Sequence, residues 1–283
     1  MIPIHSVVWH EWTERGSAQR VPEPEAMEDP KQIADYVKAY EWGGPTSALQ
    51  LHHLKEVTRL LRPGDTVVDL ACGPGPLLLE LAALYPQCRF IGVDLSQPML
   101  DALMCQASER GLGNIGVLCE DARLTPQFAD GSVDLVITTS ALHHLPDLDS
   151  LNGVFLNTAR LLGLNGAYYM FDFALLRSER TRELLVREVG KTAPALTTHD
   201  YAMSLRAAFP LDVVIDAACK ALPKPIEVRA SLFVDFFYFL QSPPRTEVLP
   251  ETSAALRAIW AKLPTATRLE HTMLRTMRRR IRT

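Results

Sequence analysis

The sequence has no paired cysteine motif, no long uncharged apolar run and no large excess of either charge. Its five cysteines form no C-x-x-C pair, and an odd, scattered set fits reduced, mostly buried thiols better than disulfides or zinc ligands. No charge-free stretch reaches the roughly 18 apolar residues that a membrane span needs, and the start lacks the apolar run of a signal sequence. We therefore expect a cytoplasmic protein with no membrane span and no structural metal.

The charges give no global attraction to polyanions. Lys and Arg number 29 and Asp and Glu number 33, for a formal net charge of -4, so nucleic-acid binding would need a local basic patch. One such patch closes the chain, and it contains Arg275, Arg278, Arg279, Arg280 and Arg282. A charge run near a terminus is more often a solvated helix end, where cations complement the helix dipole, so we do not expect nucleic acid as a partner.

The chain divides into three segments. For residues 1–62 the sequence predicts a loosely structured arm around Trp9 and Trp12, followed by two helices. Asp29 is the expected N-cap of the first helix, with Pro30 at its first position. Residues 63–241 form the central domain. Residues 242–283 predict a C-terminal extension of one or two helices that ends in the basic tail. The 283 residues, 47% of them hydrophobic, suffice for one large domain.

Short apolar runs alternate with helical segments in the central domain, which is typical of a parallel sheet built from βαβ units. The predicted strands are 66–70, 89–93, 115–119, 133–138 and 167–173, with helices at 76–85, 97–110 and 148–161 between them. Further helices follow over 179–220, and the apolar runs 226–230 and 232–240 predict a closing antiparallel hairpin. The fold class is therefore α/β: a doubly wound, seven-stranded, mostly parallel sheet with helical extensions at both ends.

The strongest local motif is the turn between the first strand and its helix. The strand runs through Asp69-Leu70-Ala71-Cys72-Gly73-Pro74-Gly75 into an apolar helix. Small residues let the backbone pass close to a ligand, and the following helix N-terminus presents free N–H groups. Alone, such a motif also fits an ordinary tight turn.

Asp94 ends the second strand, nineteen positions after Gly75. In a doubly wound sheet this spacing brings the acid beside the glycine turn, where its oxygens can accept both hydroxyls of a ribose. The alternative role, a cap for the next helix, suits Ser96 better. Leu78 stands where a dinucleotide fold usually has a third small residue, which disfavours a nicotinamide cofactor.

With these motifs the sequence resembles the class I S-adenosylmethionine-dependent methyltransferases, similar to the ubiquinone and menaquinone methyltransferases, over about residues 60–173. The resemblance implies a Rossmann-like fold, S-adenosyl-L-methionine as cofactor and methyl transfer to a small-molecule acceptor. It assigns the cofactor's methionine portion to the first turn, the ribose to Asp94 and the adenine to Leu95, Met99, Asp121 and Ala122. Thr139 and Ser140 would lie at the methyl end. The implied cofactor-binding set is Asp69, Ala71, Cys72, Gly73, Pro74, Gly75, Asp94, Leu95, Met99, Asp121, Ala122, Thr139 and Ser140.

Two residues are candidates for a general base, which an oxygen or carbon acceptor would need. His143 follows the fourth strand and Asp172 ends the fifth, and we expect both to face the cofactor pocket; each could equally be a packed or capping group. Adjacent histidines on a helical turn point about 100° apart, so we expect no metal at His143 and His144. Tyr36 and Tyr40 could cover the pocket or only pack their helix onto the core.

Three functional alternatives remain open from the sequence. The chain could use the same fold for a reaction other than methylation, serve as a binding scaffold, or methylate a macromolecule through its arginine tail. The aromatic residues Phe233, Phe236, Phe237, Tyr238 and Phe239 fit either sheet core or the surface of a homodimer.

Overall fold

The computed structural model describes residues 4–14, 18–191 and 193–281; Arg282, part of the predicted basic tail, lies outside them. The chain forms one eight-stranded sheet with helices on both faces. No helix in these ranges is both long and apolar enough to cross a bilayer. The strands are β1 Thr66–Leu70, β2 Arg89–Asp94, β3 Ile115–Cys119, β4 Val133–Thr139, β5 Leu162–Phe173, β6 Glu227–Ser231, β7 Phe237–Gln241 and β8 Arg278–Ile281.

Eleven α-helices are present in the described part of the chain. They are α1 Ile4–Thr13, α2 Pro30–Ala39, α3 Ser47–Val57, α4 Pro76–Leu84, α5 Gln97–Glu109, α6 Leu148–Leu161, α7 Glu179–Val189, α8 Ala195–Ala207, α9 Leu211–Ala221, α10 Pro250–Lys262 and α11 Thr265–Thr276. A 3₁₀ turn, Leu142–His144, follows β4. The cap expected at α2 is confirmed, since the Asp29 carboxylate accepts hydrogen bonds from the backbone N–H groups of Lys31 and Gln32.

The strand order is β3-β2-β1-β4-β5-β7-β6-β8, with β1 to β5 parallel and the last three strands antiparallel to their neighbours. The order reverses between β1 and β4, which is the point where ligands bind in open α/β sheets. This arrangement confirms the doubly wound fold and the closing hairpin, which β6 and β7 form.

The sheet buries both faces because successive side chains of each strand point to opposite sides. Val68, Val136 and Tyr168 pack on one side with α6 and α9. Val67 and Tyr169 pack on the other side with α3, α4, α5 and α10. The site described below therefore stands on a rigid, fully packed layer.

Three expectations need correction. The first part of the arm is not loosely structured, because residues 4–13 form α1. The sheet has eight strands instead of seven, since the basic tail leaves helix α11 and pairs with β6 as β8. All five thiols are free, but only Cys72 and Cys88 are buried, while Cys105 and Cys119 are exposed. The division into three segments remains a prediction.

Candidate active site

The turn after β1 has a backbone that most residues avoid. Gly73 and Gly75 have φ values of 55° and 61°, and Ala71 also has a positive φ, 55°. A Cβ on Gly75 would lie 2.6 Å from Cδ1 of Leu103, which packs beneath the turn. Glycine is therefore required at this position for both its conformation and its size, since the start of α4 packs closely against Leu103 of α5.

Asp94 holds this turn in place. Its Oδ2 accepts a hydrogen bond of 2.7 Å from the Gly73 N–H, and its Oδ1 accepts one of 2.8 Å from the Ser96 N–H. Burial raises the pKa of Asp94, against the effect of these backbone hydrogen bonds. The first turn and the acid that ends the second strand therefore meet, as their spacing predicts. Each carboxylate oxygen keeps a second lone pair that can accept from a ligand.

A crevice opens above these residues at the carboxyl ends of β1, β2 and β4. Its cavity volume is about 100 Å³, below the roughly 300–1,000 Å³ usual for cofactor sites, so a ligand of cofactor size requires the lining side chains to move apart. Eleven of the thirteen predicted cofactor residues line it, namely Asp69, Ala71, Cys72, Gly73, Asp94, Leu95, Met99, Asp121, Ala122, Thr139 and Ser140. Pro74 lines a neighbouring cavity instead, and Gly75 shapes the turn as the N-cap of α4.

Asp69 presents an unpaired oxygen in the wall of this crevice. The residue is 3% exposed, and its Oδ1 finds no hydrogen-bond partner among the described residues. Burial and the nearby charge of Asp94 raise the pKa of Asp69 well above its usual value. Because a buried polar atom without a partner is costly, this oxygen fits a ligand that brings a donor or a positive charge.

Tyr36 on α2 and Tyr40, the C-cap of α2, both line the crevice; this agrees with the first of the two roles considered from the sequence. The hydroxyls of Tyr36 and Tyr40 lie 3.2 Å apart and their ring centroids 4.9 Å apart. Burial raises the pKa of both phenols, so each stays protonated at neutral pH. They can thus offer hydrogen bonds and ring faces to a bound molecule without carrying charge.

Asp121 is already engaged by an arginine. Arg123 Nε lies 2.9 and 2.8 Å from the two Asp121 oxygens, and its Nη2 lies 3.1 Å from Glu25. Burial acts to raise the pKa of Asp121, but the hydrogen bonds and charge of Arg123 outweigh it, so the pKa is lowered. Asp121 therefore remains ionised and can accept a hydrogen bond at the crevice.

An arm of residues 18–28 crosses the mouth of the crevice, a contact that no sequence pattern predicts. Met27 and Glu25 line the crevice, and the Met27 carbonyl accepts a 2.6 Å hydrogen bond from Ser96 Oγ. Arg20 donates to the backbone carbonyls of His143, Leu145, Pro146 and Ala207. The arm is thus tied to the body on both sides of the opening.

The two proposed bases do not face the cofactor crevice, which corrects the expectation that both would. His143 Nδ1 lies 2.6 Å from Asp172 Oδ1, and Asp172 Oδ2 accepts a 2.9 Å hydrogen bond from the His143 N–H. They are 3% and 0% exposed, and neither lines the crevice. The pair instead fixes the 3₁₀ turn that follows β4.

The neighbouring His144 lines the crevice, although the sequence analysis did not single it out as a site residue. Burial and the adjacent His143 lower the pKa of His144 to about 4, so its imidazole is neutral at pH 7. Burial also acts to lower the pKa of His143, but the charge and hydrogen bond of Asp172, together with the charge of Glu23, raise it above its usual value.

Residues 67–166 match the family model described as a methyltransferase domain. The chain is 35% identical over 106 residues to nocamycin O-methyltransferase of Saccharothrix syringae, covering 37% of this chain and 36% of that protein. It is 30% identical over 155 residues to malonyl-[acyl-carrier protein] O-methyltransferase of Legionella pneumophila subsp. pneumophila, covering 53% and 51%. The chain thus spans about half or less of the length of these relatives.

The relatives also include a protein whose acceptor is a macromolecule. The chain is 34% identical over 84 residues to tRNA (guanine-N(7)-)-methyltransferase of Serratia proteamaculans, covering 29% of this chain and 35% of that protein. Among solved structures, a SAM-dependent methyltransferase from Aquifex aeolicus superposes with a TM-score of 0.52 at 18% identity, covering 76% of this chain and 98% of that one. This likeness concerns the fold alone.

Proposed function

We propose that this chain, whose residues 67–166 match a methyltransferase domain, transfers the methyl group of S-adenosyl-L-methionine to a small-molecule acceptor. The observation that carries the proposal is the junction at the carboxyl ends of β1 and β2. There Asp94 joins the Gly73 turn to Ser96, and Asp69, which lines the same crevice, has a buried oxygen without a hydrogen-bond partner.

The lining residues fit the three parts of this cofactor. Asp94 can accept from the ribose hydroxyls, and Asp69 can receive the ammonium group of the methionine portion. Leu95, Met99 and Ala122 offer apolar surface for the adenine ring. When bound, the cofactor supplies a methyl group on a sulfonium, which is already a good leaving group.

The protein's own task is then to align the acceptor and to exclude water. Tyr36 and Tyr40 stand over the crevice with neutral hydroxyls that can orient an acceptor. Ser140, whose N–H donates to the Phe171 carbonyl over 2.9 Å, fixes the backbone beside them. The arm residue Met27 narrows the mouth and limits entry of water.

The narrow mouth also supports a small acceptor over a macromolecule. The arm and the two tyrosines cover the crevice. Within the described basic tail, Arg278 pairs with Glu56 and Arg279 with Asp235, so these cations are already engaged. The similarity to a tRNA methyltransferase keeps a macromolecular acceptor as the second candidate.

Calorimetric titration with S-adenosylhomocysteine, the cofactor product, tests the cofactor assignment. We expect one binding site per chain; no heat of binding at millimolar ligand would refute the proposal. The acceptor class is tested by incubating the protein with methyl-labelled cofactor and a cell extract. We expect label in the low-mass filtrate, whereas label that is retained and released only by ribonuclease or protease would favour a macromolecular acceptor.

A further inference from the structure

Three potential metal ligands converge where the arm meets the turn after β4. Glu23 Oε1 lies 3.4 Å from His143 Nε2 and 3.4 Å from His144 Nδ1. All three atoms lie within 4.8 Å of one another. Two imidazoles and one carboxylate are a donor set that divalent transition metals favour in proteins.

The two adjacent histidines can share one ion because they use different ring nitrogens. In the 3₁₀ turn Leu142–His144 the two rings lie 4.4 Å apart between centroids and are tilted by 34°. His143 turns its Nε2 and His144 its Nδ1 toward Glu23. Neighbouring side chains diverge by about 100° on an α-helix and by about 120° on a 3₁₀ turn, yet the use of different ring nitrogens brings both ligand atoms to Glu23.

Glu23 supplies a buried oxygen that lacks a hydrogen-bond partner. Its side chain is 7% exposed, and Oε1 makes no hydrogen bond within the part of the chain that the structure describes. A tetrahedral ion with bonds of about 2.1 Å holds its ligand atoms roughly 3.4 Å apart. The two separations of 3.4 Å therefore match a metal-binding geometry and exceed the usual length of a hydrogen bond.

Asp172 provides the orienting contact that histidine ligands usually have. Its Oδ1 lies 2.6 Å from His143 Nδ1, which leaves Nε2 as the free nitrogen. A carboxylate on the far nitrogen fixes the tautomer and the ring orientation of a metal-bound histidine. The buried His143–Asp172 pair thus gains a role that does not require contact with the cofactor crevice.

We propose that Glu23, His143 and His144 bind one divalent first-row transition-metal ion, such as Zn²⁺, with Asp172 positioning His143. Mg²⁺ and Ca²⁺ fit poorly because they prefer oxygen ligands. The ion joins the arm to the body beside the crevice, next to the contacts of Arg20. His144 Nδ1 can donate its proton to the Pro24 carbonyl at 3.1 Å; for Nδ1 to bind the ion, the neutral ring must carry this proton on Nε2 instead, and solvent can exchange it between the two nitrogens.

The competing explanation is that protonated His143 forms an ion pair with Glu23 and that no metal binds. Cobalt titration of the full chain after chelator treatment separates the two, because Co²⁺ reports nitrogen and oxygen ligation through its visible absorption. We expect one Co²⁺ per chain, displaced by one equivalent of Zn²⁺. Wild-type protein that takes up no stoichiometric Co²⁺ would overturn the proposal.

Substitutions identify the ligands. We expect Glu23→Gln and His144→Asn to weaken Co²⁺ binding at least about tenfold and Asp172→Asn to weaken it by about 10- to 100-fold. His199→Asn, at an exposed histidine, is the matched control and should bind as wild type does. Equal Co²⁺ affinity in wild type and in folded His144→Asn, checked by circular dichroism, would refute the site. Co²⁺ uptake needs no bound cofactor. The metal-site proposal can therefore be confirmed or refuted whether or not the protein binds S-adenosylhomocysteine.

Discussion

Replacing Asp94 by asparagine tests the junction on which the proposed function depends. The wild-type carboxylate accepts from two backbone N–H groups, those of Gly73 and Ser96. Asparagine keeps the size of the side chain but offers only one oxygen, so one of these N–H groups faces an amide that cannot accept from it.

The Asp94→Asn substitution is expected to change two quantities, the stability of the free protein and its affinity for the cofactor product. A buried donor left without an acceptor costs about 1–3 kcal/mol, and this cost falls on the free protein. The ribose hydroxyls additionally lose a charged acceptor, which is worth about 1.5–3 kcal/mol. At about 1.4 kcal/mol per factor of ten, we expect S-adenosylhomocysteine to bind Asp94→Asn about 10- to 100-fold more weakly.

Calorimetry measures the affinity, and urea unfolding measures the stability of the same samples. Asp101→Asn is the matched control. Asp101 lies exposed on α5, where its carboxylate accepts a hydrogen bond from the side chain of Gln97. Asp101→Asn should leave both the affinity for S-adenosylhomocysteine and the free energy of unfolding unchanged. Affinity of Asp94→Asn within about twofold of wild type would show that Asp94 does not contact the cofactor, whatever its effect on stability.

Three further substitutions test the surroundings of the site. Gly92→Ala should lower the free energy of unfolding by about 1–3 kcal/mol, because its Cβ would lie 2.7 Å from the Cys72 sulfur. Arg278→Ala should lower the free energy of unfolding by about 1.5–3 kcal/mol, because the buried Glu56 loses one of its two cations and keeps only Arg59, at 3.6 Å. Burial lowers the pKa of His53 to about 3, below an unfolded value of about 6.5. His53 therefore favours folding above pH 6.5, and this contribution is lost as the pH falls towards 3, by about 2 kcal/mol at pH 5.

Each of these predictions has its own control and measurement. Gly116→Ala, on β3, adds a Cβ with no atom within 4 Å and should be nearly neutral in urea unfolding, as should Arg280→Ala at an exposed position. Equal losses in the test and control variants would contradict the packing and ion-pair arguments. For His53, unfolding of wild type and His53→Leu at pH 8 and pH 5 should show a smaller acid dependence in the variant; parallel pH profiles would contradict the assignment.

The parallel half of the sheet and the cofactor turn could be predicted because their signals are local. Five apolar runs, separated by helices except between β3 and β4, predict β1 to β5. The small residues of the first turn suit an unusual backbone, which the structure shows at Ala71, Gly73 and Gly75. The position of Asp94 follows from the register of β1 against β2, which pairs Leu70 with Val93.

The remaining features depend on contacts distant in sequence. Strand β8 has four residues, three of them arginines, and it exists only by pairing with β6. The arm reaches the crevice through Arg20, which binds carbonyls more than 120 positions away. The buried orientation of the His143 side chain depends on its contact with Asp172 and on a 3₁₀ turn that no hydrophobic periodicity in the sequence predicts.

The position of β8 at the end of the sheet has a consequence for self-association. An edge strand leaves unpaired N–H and C=O groups that can recruit a strand from another molecule. Here that edge carries the exposed, positively charged Arg279 and Arg280. When two such edges approach, their Arg280 side chains repel each other before hydrogen bonds can form, while Arg279 is held by Asp235; this edge of the sheet is therefore a poor site for strand pairing between chains.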